Sequence, residues 1–69
     1  MINIQDITPF MKKGWVAMDD DGLWRWYEDK PIALCGAWLR PSMNCKVCKL
    51  ESFDIDPADD WSKSLIKVG

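Results

Sequence analysis

The stretch Gly14–Pro31, GWVAMDDDGLWRWYEDKP, decides the fold. It gathers three of the five tryptophans and the only tyrosine around Asp19-Asp20-Asp21. Two runs of strand-favouring residues flank Asp20-Asp21-Gly22, and glycine tolerates the positive φ that a tight hairpin loop demands. A two-residue Asp21-Gly22 loop would pair Met18 with Arg25 and Val16 with Tyr27. A three-residue loop, with Gly22 as the bulge, would pair Met18 with Trp24 and Val16 with Trp26. A slip of one residue moves every side chain of a strand to the other face, so burial discriminates between the two. The three-residue loop collects Val16, Met18, Trp24 and Trp26 into one apolar face, whereas the shorter loop mixes charge into both. The sequence therefore predicts the bulged hairpin.

In that register Trp24 and Trp26 belong to the core. The opposite face carries Trp15, Ala17, Asp19, Leu23, Arg25 and Tyr27, a mixed set. A lone hairpin is marginal in water and needs further strands or a helix over its apolar face. After Lys30-Pro31, Ile32–Leu39 (IALCGAWL) reads as a third strand bent at Gly36. Val47, Leu50 and Phe53 alternate loosely within Cys45–Phe53, and Ser64–Val68 reads as a closing strand. Asp56 before Pro57 has the signature of a capped helical turn near 57–61, with Asp59 and Asp60 at its positive end. Near the start, Ile2, Ile4, Ile7 and Phe10 are interrupted by Pro9, which reads as an arm pinning Ile7 and Phe10 onto the core.

The expected architecture is mainly β, with a small α+β arrangement as the variant. It is an antiparallel sheet of 3–5 strands built on the Trp-rich hairpin at 15–27. Residues 1–69 form one domain: an arm over 1–13, the hairpin plus third strand over 14–39, a cysteine-containing loop or strand over 40–53, and a turn with closing strand over 54–69. A chain of this length buries only about 60% of its unfolded surface. Its hydrophobic content, 48%, still exceeds what a disordered chain carries.

Charge and composition narrow the chemistry. Nine basic and eleven acidic residues leave a net charge of −2, which argues against a nucleic-acid partner, since phosphate neutralisation supplies most of such affinity. No apolar run is long enough to span a membrane. The opening MINIQDITPFMKKG does not read as a signal peptide, and three cysteines, an odd number, do not read as a secreted disulfide framework. A cytoplasmic protein is the expectation.

Cys45-Lys46-Val47-Cys48 is a C-x-x-C, preceded by Cys35. A structural zinc site takes four ligands from cysteine and histidine, and the chain has no histidine. Cys35, Cys45 and Cys48 are therefore the candidate metal ligands of a second-ranked reading, and no cofactor is expected. Without histidine, neither serine nor cysteine has the usual general base, so an enzyme is not expected. The acidic stretches DDDG and DIDPADD lack the spacing of a calcium loop and read as turns and caps. Trp15, Arg25 and Tyr27 are the candidate binding residues. If uncovered, an indole, a guanidinium and a phenol on one face would make a protein-contact surface. If covered, the arm or the closing strand lies over them.

TPFMKKGWVAMDDDGLWRWYEDKP, a later tryptophan and DWSKSLIKVG together resemble a group of small uncharacterised proteins encoded in phages and prophages. The likeness lies in the Gly-Trp-Val-Ala-Met-Asp start, the Asp-Gly turn, the aromatic second strand ending in Lys-Pro and the closing Asp-Trp…Ser-Leu-Ile. It covers most of the chain, least of all Cys35–Glu51. It implies an accessory role in a mobile element and carries over no catalytic or ligand residue. The expected function is a non-enzymatic interaction module that binds a protein through an aromatic sheet face or strand edge, or pairs as a homodimer. The alternative is a small accessory protein stabilised by metal at the cysteines, or associated with nucleic acid through Arg40, Lys46 and Lys49.

Overall fold

In the computed structural model, which describes residues 1–69, the Trp-rich stretch forms the bulged hairpin. β1 (Gly14–Met18) pairs antiparallel with β2 (Trp24–Tyr27), setting Met18 opposite Trp24 and Val16 opposite Trp26. The Gly22 amide donates to the Asp19 carbonyl (3.0 Å), and the Asp19 amide donates to the Leu23 carbonyl (3.1 Å). Gly22 sits at φ 87°, the left-handed conformation that closes a three-residue loop.

Ile32–Leu39, expected as one bent strand, is instead a second hairpin. β3 (Ile32–Leu34) and β4 (Ala37–Leu39) pair only with each other, forming a separate ribbon. Cys35 and Gly36 join them at φ 51° and 81°. Two successive positive φ values make a type I′ turn, whose twist suits a two-residue hairpin. β5 (Val47–Lys49) adds to β2, and β6 (Ile66–Val68) adds to β1. The main sheet is thus antiparallel, ordered β5-β2-β1-β6. The fold is mainly β, as the pattern predicts.

Each face of this sheet has its own core. Ile4, Val16, Met18, Trp24, Leu50, Ile55 and Val68 form the larger one, with Trp26 packed at its margin. Ile4 comes from a four-residue helix, α1 (Ile4–Ile7), capped by the Asn3 side chain accepting from the Gln5 amide. Ile4 rather than Phe10 pins the arm: a 3-10 turn over Thr8–Phe10 swings Phe10 out, leaving it 88% exposed. Ala17, Tyr27 and Trp38 form the smaller core, flanked by Trp15, Val47, Trp61 and Leu65.

The expected helical turn near 57–61 lies further along, a 3-10 turn over Trp61–Lys63 capped by Asp60. Asp56 cannot start it. Its amide donates to the Ile2 carbonyl (2.8 Å) and its carbonyl accepts the Trp24 indole N–H (3.0 Å), which holds 54–56 as an extended bridge beside Ile2. The same use of indoles recurs. Trp26 Nε1 donates to the Lys12 carbonyl, and Trp38 Nε1 to the Trp61 carbonyl. A buried or half-buried tryptophan favours a partner for this N–H, and these three tie segments outside the strands to a sheet or ribbon.

Candidate functional site

The register places Trp15, Arg25 and Tyr27 on one face of the sheet, as the sequence requires, but that face is covered. The β3–β4 ribbon lies over it, together with Trp61 and Leu65. Tyr27 is only 2% exposed and its hydroxyl donates to the Trp38 carbonyl (3.1 Å). Of the two alternatives the sequence left open, the covered one holds at Tyr27, with the β3–β4 ribbon, Trp61 and Leu65 as the cover in place of the arm or the closing strand. Burial, then the carboxylate of Asp19, push the phenol up to about 12 against the opposing Arg25 guanidinium.

Asp19 organises this interface. It reads as the first acid of a solvated loop, yet it is 9% exposed. One carboxylate oxygen accepts the Trp38 amide (2.8 Å), and the other is paired with the Arg25 guanidinium. Trp38 is therefore gripped at both peptide groups, its N–H by Asp19 and its C=O by Tyr27. These two side chains stand where a neighbouring strand would otherwise hydrogen-bond to the outer edge of β4. Trp38 also packs edge-to-face on Trp61, with centroids 6.2 Å apart. Trp15 is half-buried at the margin of the face, with the Lys30 ammonium 5.7 Å above its ring.

Covering this face creates another. Ile32 stands opposite Leu39, and Leu34 opposite Ala37, on the side of the ribbon turned away from Trp38. Ile32, Leu34 and Leu39 are 57%, 55% and 47% exposed. Sequence reasoning missed this surface because IALCGAWL was read as one strand. The signal was there: two three-residue apolar runs separated by a Cys-Gly pair.

The cysteines do not converge. Cys35 is exposed in the ribbon turn, and Cys48 is exposed on β5. Cys45 is buried, and its sulfur accepts the Asp29 amide (3.3 Å). All three are free thiols, and no group of three or more Cys, Asp or Glu side chains is arranged to hold a metal. Arg40, Lys46 and Lys49 also spread out, the first past the end of β4, the second just before β5 and the third at its end. The largest recess, about 330 Å³, is an open groove between the arm and the β2–β5 edge, where Lys12 and Lys46 rim Trp26 and Leu50.

No protein-family model matches the chain, and no curated protein or solved structure is significantly similar to it.

Proposed function

We propose that this chain is a non-enzymatic protein-interaction module, an accessory protein of a phage or mobile element acting in the cytoplasm, which binds through the β3–β4 ribbon. One observation carries the reading. Three aliphatic side chains on one face of a two-stranded ribbon remain about half exposed in a chain with little apolar surface to spare. A contiguous exposed apolar patch on a small domain is the usual mark of a contact surface. The ribbon is also rigidly backed, since Asp19, Tyr27 and Trp61 fix Trp38 beneath it. A preorganised surface loses less entropy on binding than a mobile one. The resemblance to phage-encoded proteins supports the accessory role.

The test is capture of partners from host lysate by the tagged chain, comparing wild type with Ile32→Lys and Leu39→Glu. Both substitutions lie on the exposed face and should leave the far-ultraviolet circular dichroism and melting temperature nearly unchanged. Loss of the same captured protein in both variants is the expected result. Undiminished capture by the two folded variants would remove the ribbon as the binding surface.

A further inference from the structure

We propose that the open edge of β3 pairs with β3 of a second copy of this chain, joining two ribbons into one four-stranded antiparallel sheet. The inference rests on the reading of the ribbon as the binding element and concerns its open edge rather than its apolar face.

The first argument is which edge is free. In an antiparallel pair, residues facing each other without mutual hydrogen bonds turn their N–H and C=O groups outward. Trp38 is such a residue, because its N–H and C=O go to Asp19 and Tyr27 rather than across the ribbon. Its cross-strand partner is Ala33. The Ala33 peptide groups must then point to the opposite edge, away from β4 and away from the body. All three residues of β3 are exposed, including Ala33, whose side chain lies on the inward face.

The second argument is the contrast among edges. Exposed edges are normally guarded by charge, lysine above all. β5 carries Lys49 and follows Lys46, and β6 has Lys67 at its centre. β3 is Ile-Ala-Leu, with no charge. Pro31 before it limits the ladder, since proline offers no N–H.

The third is self-complementarity. A two-fold axis at Ala33 lets the Ala33 amide and carbonyl of each copy bond reciprocally, as a hydrogen-bonded antiparallel pair does. It also sets Ile32 of one copy opposite Leu34 of the other on the outer face. The same register carries Lys30 to the turn of the other copy. There the Asp20 carboxylate lies so close to Gly36 that a methyl group on Gly36 would stand 2.7 Å from its oxygen. The ion pairs of the fold are Arg25–Asp19 and the amino terminus with Asp54, so neither Lys30 nor Asp20 has an ion-pair partner within the chain, and Lys30 would exchange its place over the Trp15 ring for the contact between copies.

Sedimentation velocity over a concentration series tests this. So short an interface is in the weak, transient class, so wild type should pass from one chain mass toward two with a midpoint on the order of 0.1–1 mM. Ala33→Pro removes an N–H that no bond within the ribbon uses, and should stay monomeric throughout while keeping the wild-type circular dichroism. Lys30→Asp and Asp20→Lys should each raise the dissociation constant several-fold, and the double exchange should restore it. A wild type that remains one chain mass at the highest concentration, or dimerises equally well as Ala33→Pro, overturns the proposal. If wild type is monomeric but Ile32→Lys loses its captured protein, self-pairing falls and the ribbon surface stands. If neither effect is seen, both fall.

Discussion

Tyr27→Phe isolates the contact that holds the two sheets together. The substitution keeps the buried ring and its packing against Ala17 and Trp38, and deletes only the hydroxyl that donates to the Trp38 carbonyl. A buried acceptor left without its donor costs about 1–3 kcal/mol. A domain of 69 residues is stable by roughly 3–10 kcal/mol in total, so the loss is a sizeable share. At about 4–8 °C per kcal/mol for a domain this small, the melting temperature should fall by about 4–24 °C. The ribbon should also loosen ahead of the main sheet, because Trp38 is then gripped only by Asp19 and Trp61. Amide exchange at Ala37–Leu39 should accelerate about 5- to 150-fold, as follows from the same free energy. Calorimetry and exchange-detected NMR give the two readings. A melting point within about 1 °C of wild type, with exchange of the ribbon unchanged, would refute the claim that this hydroxyl docks it.

The same phenol supplies a pH reading, because Tyr27 is the only tyrosine. Burial, then Asp19, raise it from 10.0 to about 12 in the folded chain. The folded state therefore holds the proton more tightly than the unfolded one. Its contribution is fully present below pH 10 and is lost as pH rises from 10 toward about 12. The span corresponds to roughly 2–3 kcal/mol. Ultraviolet absorbance should show the phenolate forming late and together with unfolding. A phenolate that forms near pH 10 in a still-folded chain would contradict the burial of Tyr27.

Other substitutions test separate contacts. Gly14→Ala would set a methyl group 2.5 Å from the Tyr27 carbonyl and 2.8 Å from the Trp26 ring. The main sheet would have to part, and urea denaturation should show a loss of about 2–4 kcal/mol. Cys35→Asn replaces a residue poorly suited to φ 51° with the preferred first residue of a type I′ turn. Thermal unfolding should shift upward, by about 0.5–1 kcal/mol. Asp60 accepts from the Ser62 hydroxyl (2.6 Å) and amide (3.0 Å), which hold its carboxyl below the ordinary 3.8. Its cap is therefore complete above that value and is lost as pH falls through the lower folded value. The Ser62 amide resonance should titrate with a midpoint below 3.8 in wild type and not at all in Asp60→Asn.

Burial pattern and turn chemistry agreed on the first hairpin, which is why it was legible. Only one register gathered Val16, Met18, Trp24 and Trp26, and Gly22 stood where that register needed positive φ. The second hairpin was hidden because its turn begins with Cys35, a residue with no preference for the left-handed region. The cover over Tyr27 was hidden for a related reason. Both faces of the hairpin contain apolar residues, and composition could not say that Trp38 would be delivered to one of them. The displaced helical turn shows long-range bonding overriding a local signal. Asp56-Pro57 is as good a start as Asp60-Trp61 until Ile2 and the Trp24 indole claim the Asp56 peptide groups.

A chain this short cannot supply every strand with two neighbours, and it closes edges with side chains instead. Asp19 and Tyr27 do this for β4 at Trp38. Ser64 does it for β1, since continuing the β1–β6 register from Val16 opposite Ile66 brings Ser64 opposite Met18. There its hydroxyl accepts the Met18 amide at 2.8 Å and lies 3.1 Å from the Met18 carbonyl, which the ladder would otherwise have served. Both devices need a polar atom placed to within a hydrogen bond's tolerance and shielded from water, so each is found against the core: Asp19, Tyr27 and Ser64 are all buried. Such closure is available only to an edge that faces the body of the protein. β5 and β6 face outward and carry lysine, whereas β3 faces outward and carries neither lysine nor a closing side chain. The selectivity of any strand addition to this fold follows from that difference. Ala33→Lys should act as the missing guard, abolishing pairing at β3 while leaving the Asp19–Trp38–Tyr27 grip, and hence the melting temperature, intact.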